Sequence, residues 1–99
     1  MKAWLATDVV GFGAGLGKMD IIVILLPNGN FLVIKVTRDG RVWVCGETDE
    51  QPGPEYGFQN IEIDDELVEA VNASFDKNGR ELCHDTVGLL IKFVKKTVS

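Results

Sequence analysis

Apolar residues crowd three short segments, 20–26, 31–38 and 41–47, each rich in Val and Ile and separated from the next by Asn28-Gly29 and Asp39-Gly40. β-branched runs of this length read as strands. The Asn-Gly and Asp-Gly dipeptides supply the positive φ values of type I′ turns, whose twist suits paired strands. The three segments therefore predict an antiparallel meander. With two-residue loops, Leu25 faces Leu32, Val23 faces Ile34, Val36 faces Trp43 and Ile34 faces Cys45. One face then carries Ile21, Val23, Leu25, Leu32, Ile34, Val36, Trp43 and Cys45. The other carries Ile22, Ile24, Leu26, Phe31, Val33, Val42 and Val44, diluted by Asp20, Lys35 and Thr37. A sheet with one solvated side would be polar at most of those positions, so something must cover both faces.

Around the meander the pattern changes. Residues 3–10 alternate apolar and polar side chains and read as a further strand. Glycine then occupies every second position from Gly11 to Gly17, giving a loop or a strand with one bare face. Pro52, Gly53 and Pro54 break regular structure between residues 48 and 60. Ile61, Glu62 and Ile63 form a short strand, and Asp64 is the N-cap of a helix over residues 65–77, with Asp65 and Glu66 in its first turn and Asn78-Gly79 as its stop. Cys83, Val87, Leu90, Ile91 and Val94 recur at helical spacing, and Lys95 and Lys96 suit a helix C-terminus. Gly88 weakens that helix, and a strand over 87–94 is the alternative. The fold class predicted is α+β: a small antiparallel sheet of four to five strands packed against two C-terminal helices, in one domain spanning residues 1–99.

Composition adds bounds. At 45% hydrophobic and 25% charged, the chain is that of a globular protein. Its longest apolar run, residues 21–26, is far short of a membrane span, and Asp8 interrupts the apolar stretch that comes after Lys2 before a signal sequence forms. The expected location is cytoplasmic. Cys45 and Cys83 accordingly read as reduced core residues. A net charge of −5 opposes direct binding to nucleic acid.

Motif spacing argues against catalysis and cofactors. A P-loop ending at Gly17-Lys18 needs glycine where Phe12 stands and Ser or Thr where Met19 stands. A dinucleotide fingerprint needs glycine at Leu16 or Lys18, and the segment after the glycine run is β-rich instead of a helix that could hold an anion. Cys83, His84 and Asp85 are neighbours that point about 100° apart on a helix, too far for a hydrogen-bonded triad. Two cysteines and one histidine fall short of a zinc site, and Asp76-Lys77-Asn78-Gly79 places its glycine too early for a calcium loop. No catalytic residue, cofactor or metal ligand is assigned.

The charge distribution is the remaining signal. Nine of the fifteen carboxylates fall between residues 47 and 69, namely Glu47, Asp49, Glu50, Glu55, Glu62, Asp64, Asp65, Glu66 and Glu69, with no Lys, Arg or His among them. Clustered carboxylates raise association rates with basic partners, and Tyr56 and Phe58 add aromatic anchors. These eleven residues are the predicted protein-binding site. Acids at a helix start and in a solvated loop account for part of the pattern without any partner.

The expected function is a small acidic protein-binding module without enzymatic activity. By size and charge it would be a phage or mobile-element inhibitor of anti-CRISPR or anti-restriction type that occupies a basic surface of a nucleic-acid-handling protein. A second reading is a small-molecule-binding domain or enzyme, with a pocket among the glycine run, Trp4, Trp43 and the Pro-Gly-Pro loop. A third is a homodimeric structural or assembly protein that buries the second apolar sheet face against its own copy.

Overall fold

The computed structural model describes residues 2–9, 18–37, 39–53, 57–77 and 82–98. Five strands precede two helices: β1 (Lys2–Val9), β2 (Met19–Leu25), β3 (Phe31–Thr37), β4 (Val42–Thr48), β5 (Gln59–Glu62), α1 (Asp65–Lys77) and α2 (His84–Val98). The strands form one antiparallel sheet in the order β4-β3-β2-β1-β5. This is the α+β architecture that the hydrophobic pattern predicts. α1 occupies the predicted residues, and the Leu67 and Val68 amides donate to the Asp64 carbonyl at 3.0 and 3.1 Å, which makes Asp64 the N-cap residue. Residues 87–94 are helical, with Leu90 and Val94 turned into the core. β5 starts two residues earlier than expected and ends before Ile63, because its partner is β1: Leu5 pairs with Gln59 and Lys2 with Glu62. The glycine run at 11–17 lies outside the described residues.

The hairpin register corrects the expected one. The Leu26 amide donates to the Asn30 carbonyl at 2.8 Å and the Gly29 amide to the Leu26 carbonyl at 3.0 Å. The second turn repeats this, with Thr37 N–H to Arg41 C=O at 2.8 Å and Gly40 N–H to Thr37 C=O at 3.2 Å. Each loop thus holds three residues, not two. Gly29 and Gly40 both adopt φ +88°, while Asn28 and Asp39 stay out of the positive-φ region that a type I′ turn requires. At the first turn, where proline precedes Asn28, the geometry is a type I turn followed by a left-handed glycine. Leu25 consequently pairs with Phe31, Val23 with Val33, Val36 with Val42 and Ile34 with Val44.

A slip of one residue moves side chains to the other face. Ile22, Ile24, Val42 and Val44 join Leu32, Ile34 and Val36. Trp43 and Cys45 leave the expected core face, and Trp43 is 41% exposed. Both cysteines are free and exposed, contrary to the core placement expected of them. Cys45, two residues beyond Trp43, shares its face, at a bulge where the β3–β4 register passes from Ile34 opposite Val44 to Val33 opposite Gly46.

Both helices lie on one face. Leu67, Val68, Val71, Leu90 and Val94 pack with Ile22, Ile24, Leu32 and Ile34 in the principal core. The other face holds a second cluster of Trp4, Ile21 and Val23, packed by Leu25, Phe31, Val33 and Phe58. Trp4 and Phe31 meet edge to face, with ring centroids 5.4 Å apart. Phe58 reaches this face from the connection between β4 and β5, and Pro52 and Gly53 of the same connection border it. Asp20, expected among the polar residues of the Ile22 and Ile24 face, pairs with Val36, is buried and accepts the Asp8 amide at 3.3 Å, where β1 bulges and Asp8 takes φ +57°. Among the described residues no helix is long and apolar enough to cross a membrane.

The glycines separate turn geometry from helix propensity. Gly29→Ala and Gly40→Ala should each cost about 1–2 kcal/mol, since open space around them leaves only the left-handed backbone to oppose a Cβ. Gly88→Ala, in open space on α2, should stabilise by about 0.5–1 kcal/mol. Urea unfolding of the three variants checks both signs.

Candidate functional site

The acidic stretch, continuous in sequence, is divided by the fold. Glu47 lies on β4 and Asp49 and Glu50 come directly after it, at one edge of the sheet. Glu62 ends β5 at the other edge, and Asp64, Asp65, Glu66 and Glu69 continue from it into α1. All eight of these side chains are exposed. Glu55 and Tyr56 lie outside the described residues. Phe58 is half-buried in the second-face cluster, so it anchors the β4–β5 connection to the sheet.

The two acidic groups nevertheless share one end of the sheet. Thr48 pairs with Phe31, Phe31 with Leu25, and Lys2 with Glu62, so the two corners terminate one transverse row of the sheet. Four interstrand spacings separate them, about 19 Å. At the first corner Asn30 Nδ2 donates to Glu47 Oε2 at 3.1 Å. At the second, Glu62, Asp64 and Glu66 line an open groove of about 730 Å³ whose other wall carries Lys92, Lys96 and Leu89 of α2. The sequence stretch is free of cations, but the folded corner is not. Helix α2 runs its basic C-terminal half past the acidic first turn of α1, an arrangement that suits both helix dipoles.

A second concavity lies on the sheet face opposite the helices. It has a volume of about 400 Å³, a floor of Ile21, Val23 and Val33, and a rim that includes Lys35, Cys45 and Phe58. The small-molecule reading places a pocket beside the Pro-Gly-Pro loop, and Pro52 and Gly53 do border this one. Trp4 packs beneath the same face and Trp43 projects from β4.

Cys83, expected in the core, instead caps α2. Its carbonyl accepts the Val87 amide at 3.0 Å, and its own amide donates to the Ser74 hydroxyl. Its Sγ lies 3.0 Å from Thr86 Oγ1. Hydrogen bonding from Ser74, then from the Thr86 hydroxyl and amide, lowers the thiol to about 7, against opposition from desolvation and the Asp85 carboxylate. An N-cap thiol beside two hydroxyls is the signal that sequence reasoning missed; Cys83 three residues before Thr86 at a helix start carries it. Among the described residues no group of three or more His, Cys, Asp or Glu side chains is arranged to hold a metal ion.

Cys83 should therefore alkylate with iodoacetamide at a rate that rises through a midpoint near pH 7. Ser74→Ala should move that midpoint upward, toward the ordinary 9.0. The stability linkage has the same sign: the folded thiol ionises below the unfolded one, so its contribution is full above the unfolded value and fades as pH falls through about 7. Mass-resolved alkylation of the native chain between pH 6 and 9 measures the midpoint. The chain matches no protein-family model, no curated protein and no solved structure.

Proposed function

We propose that the protein is a small acidic protein-binding module that docks onto a basic surface of a nucleic-acid-handling partner, as an inhibitor of phage or mobile-element type would. The observation that carries this reading is the pair of exposed carboxylate corners at one end of the sheet, Glu47, Asp49 and Glu50 on one side and Glu62 through Glu69 on the other. Spaced by about 19 Å, they suit the two walls of a basic groove better than a single basic helix. The helix dipole explains Asp65 and Glu66 without a partner, but its influence ends within the first turn. Glu47, Asp49 and Glu50 lie at no helix terminus. Association driven this way is fast at low ionic strength and slows as salt screens it. Direct nucleic-acid binding finds no support in a chain of net charge −5.

A second reading, a small-molecule site, rests on the concavity over Ile21, Val23 and Val33, whose volume of about 400 Å³ is within the range of ligand pockets. Its rim brings Lys35 and Glu50 beside apolar walls.

The docking reading is tested by presenting the immobilised chain to a panel of restriction and CRISPR nucleases at low and high salt. Capture should fall with salt, and Glu66→Lys with Glu69→Lys should slow association by about tenfold or more. The same is expected of Glu47→Lys with Glu50→Lys at the other corner. Capture indifferent to salt and to both double reversals would sink the proposal.

A further inference from the structure

β4 is the outermost strand on its side of the sheet, and among the described residues its edge over residues 42–44 carries no lysine, proline or bulge. Exposed edges are commonly protected by lysine, proline or a bulge. From Val42 to Gly46 the strand reads Val-Trp-Val-Cys-Gly, five uncharged residues in a chain that is one quarter charged. The bulge at Cys45 interrupts the strand only after Val44, so residues 42–44 remain a regular, open ladder.

The hydrogen-bond phase of that ladder is set by the turn. Thr37 N–H donates to the Arg41 carbonyl, which makes Thr37 and Arg41 a bonded pair. Bonded and non-bonded pairs alternate in an antiparallel ladder, so Lys35 and Trp43 form the next bonded pair. Val42 and Val44 then turn their N–H and C=O groups away from β3, toward the free edge. Their side chains border a cleft of about 370 Å³ closed by Leu82 and Val87. On the opposite face Trp43 is 41% exposed, with the Arg41 guanidinium 5.5 Å from its ring.

We propose that a second copy of this chain pairs antiparallel on β4, with the two-fold axis passing at Trp43. In this register Val42 of each copy meets Val44 of the other, and the outward groups of both residues close four interchain hydrogen bonds. Trp43 meets the partner's Trp43 as a non-bonded pair, the closer of the two side-chain spacings. The valines of each copy extend the apolar floor beside the other's Leu82 and Val87. The two contacts are identical, as a two-fold dimer requires.

Charge selects this occupant. Antiparallel pairing turns the turn end of each β4, where Arg38, Asp39 and Arg41 sum to +1, toward the Glu47, Asp49 and Glu50 end of the other, so unlike net charges approach although each copy carries −5. Asp39, already bonded to Arg41 Nε at 3.0 Å, stands beyond the strand's regular ladder in the turn. The pairing does not rest on the acidic docking reading, since substitutions at Trp43 leave both carboxylate corners in place.

An edge of three residues buries little surface, so the dimer should populate at about 0.1–1 mM. Sedimentation of the full chain over that range should show a monomer–dimer equilibrium. Trp43→Lys sets like charges against each other on the axis and should weaken it by about tenfold or more, with an unchanged far-ultraviolet spectrum; the urea midpoint falls modestly, because the new lysine also stands opposite Lys35. Trp43→Cys in a Cys45→Ser, Cys83→Ser background should cross-link on oxidation, whereas Leu89→Cys, half-exposed on α2, should not. A chain that stays monomeric across the range overturns the proposal, whether or not a foreign extended peptide binds the same edge. So does a dimer indifferent to Trp43→Lys, or cross-linking at Leu89 as fast as at position 43.

Discussion

Two glycines in the left-handed region hold the geometry on which the other elements depend. Gly29 and Gly40 each complete a three-residue turn, and a loop with an odd number of residues fixes which side chains of β2, β3 and β4 share a face. The second turn is reinforced by side chains. The Thr37 hydroxyl accepts the Arg41 amide at 2.9 Å and donates to Asp39, while Asp39 binds Arg41. These bonds hold the Asp39 carboxyl below its ordinary value, the Thr37 hydroxyl contributing most. With the register set, Ile22, Ile24, Leu32 and Ile34 all turn to the helices, and α1 and α2 pack on them.

The same register creates the problem that the β4–β5 connection solves. Trp4, Ile21, Val23 and Val33 are left on the face that has no helix, and burying them requires another piece of chain. The connection supplies it, with Phe58 laid into the cluster and Pro52 and Gly53 along its border. A segment that reads as a polar, proline-broken loop is thus partly structural. It also carries the chain from one sheet edge to the other, which is why carboxylates adjacent in sequence end at opposite corners.

Legibility in the sequence tracks the range of the interaction. α1 is readable to the residue, because Asp64, the acidic first turn and the Leu67, Val68 and Val71 stripe are all local signals. Three neighbouring strands are readable for the same reason. The register is easily misread because Asn28-Gly29 suggests a two-residue turn, although Pro27 before it favours the first corner of a type I turn. The placement of β5 beside β1 depends on residues almost sixty positions apart, and no periodicity records that. Cys45 leaves the core face with Trp43 through the same change of register, and the bulge beside it has Gly46 at φ +135° as its trace. Of the predicted binding residues, the described carboxylates are exposed as expected, but their division into two corners is invisible until the strand order is known.

Charge and edge protection are connected through this strand order. The C-terminal half of α2 brings Lys92 and Lys96 against Glu62, Asp64 and Glu66, so the β5 side of the molecule has cations near its acids and a helix beside its short edge strand. On the β4 side Leu82 and Val87 border the strand, its carboxylates begin at Glu47, after the bulge, and the seven-residue strand is uncharged from Val42 to Gly46. A short, charged edge resists pairing, while a longer uncharged one invites it. The two edges therefore differ in kind, and the asymmetry arises because the acidic residues are placed by the β4–β5 crossing, beyond the part of β4 that stays open.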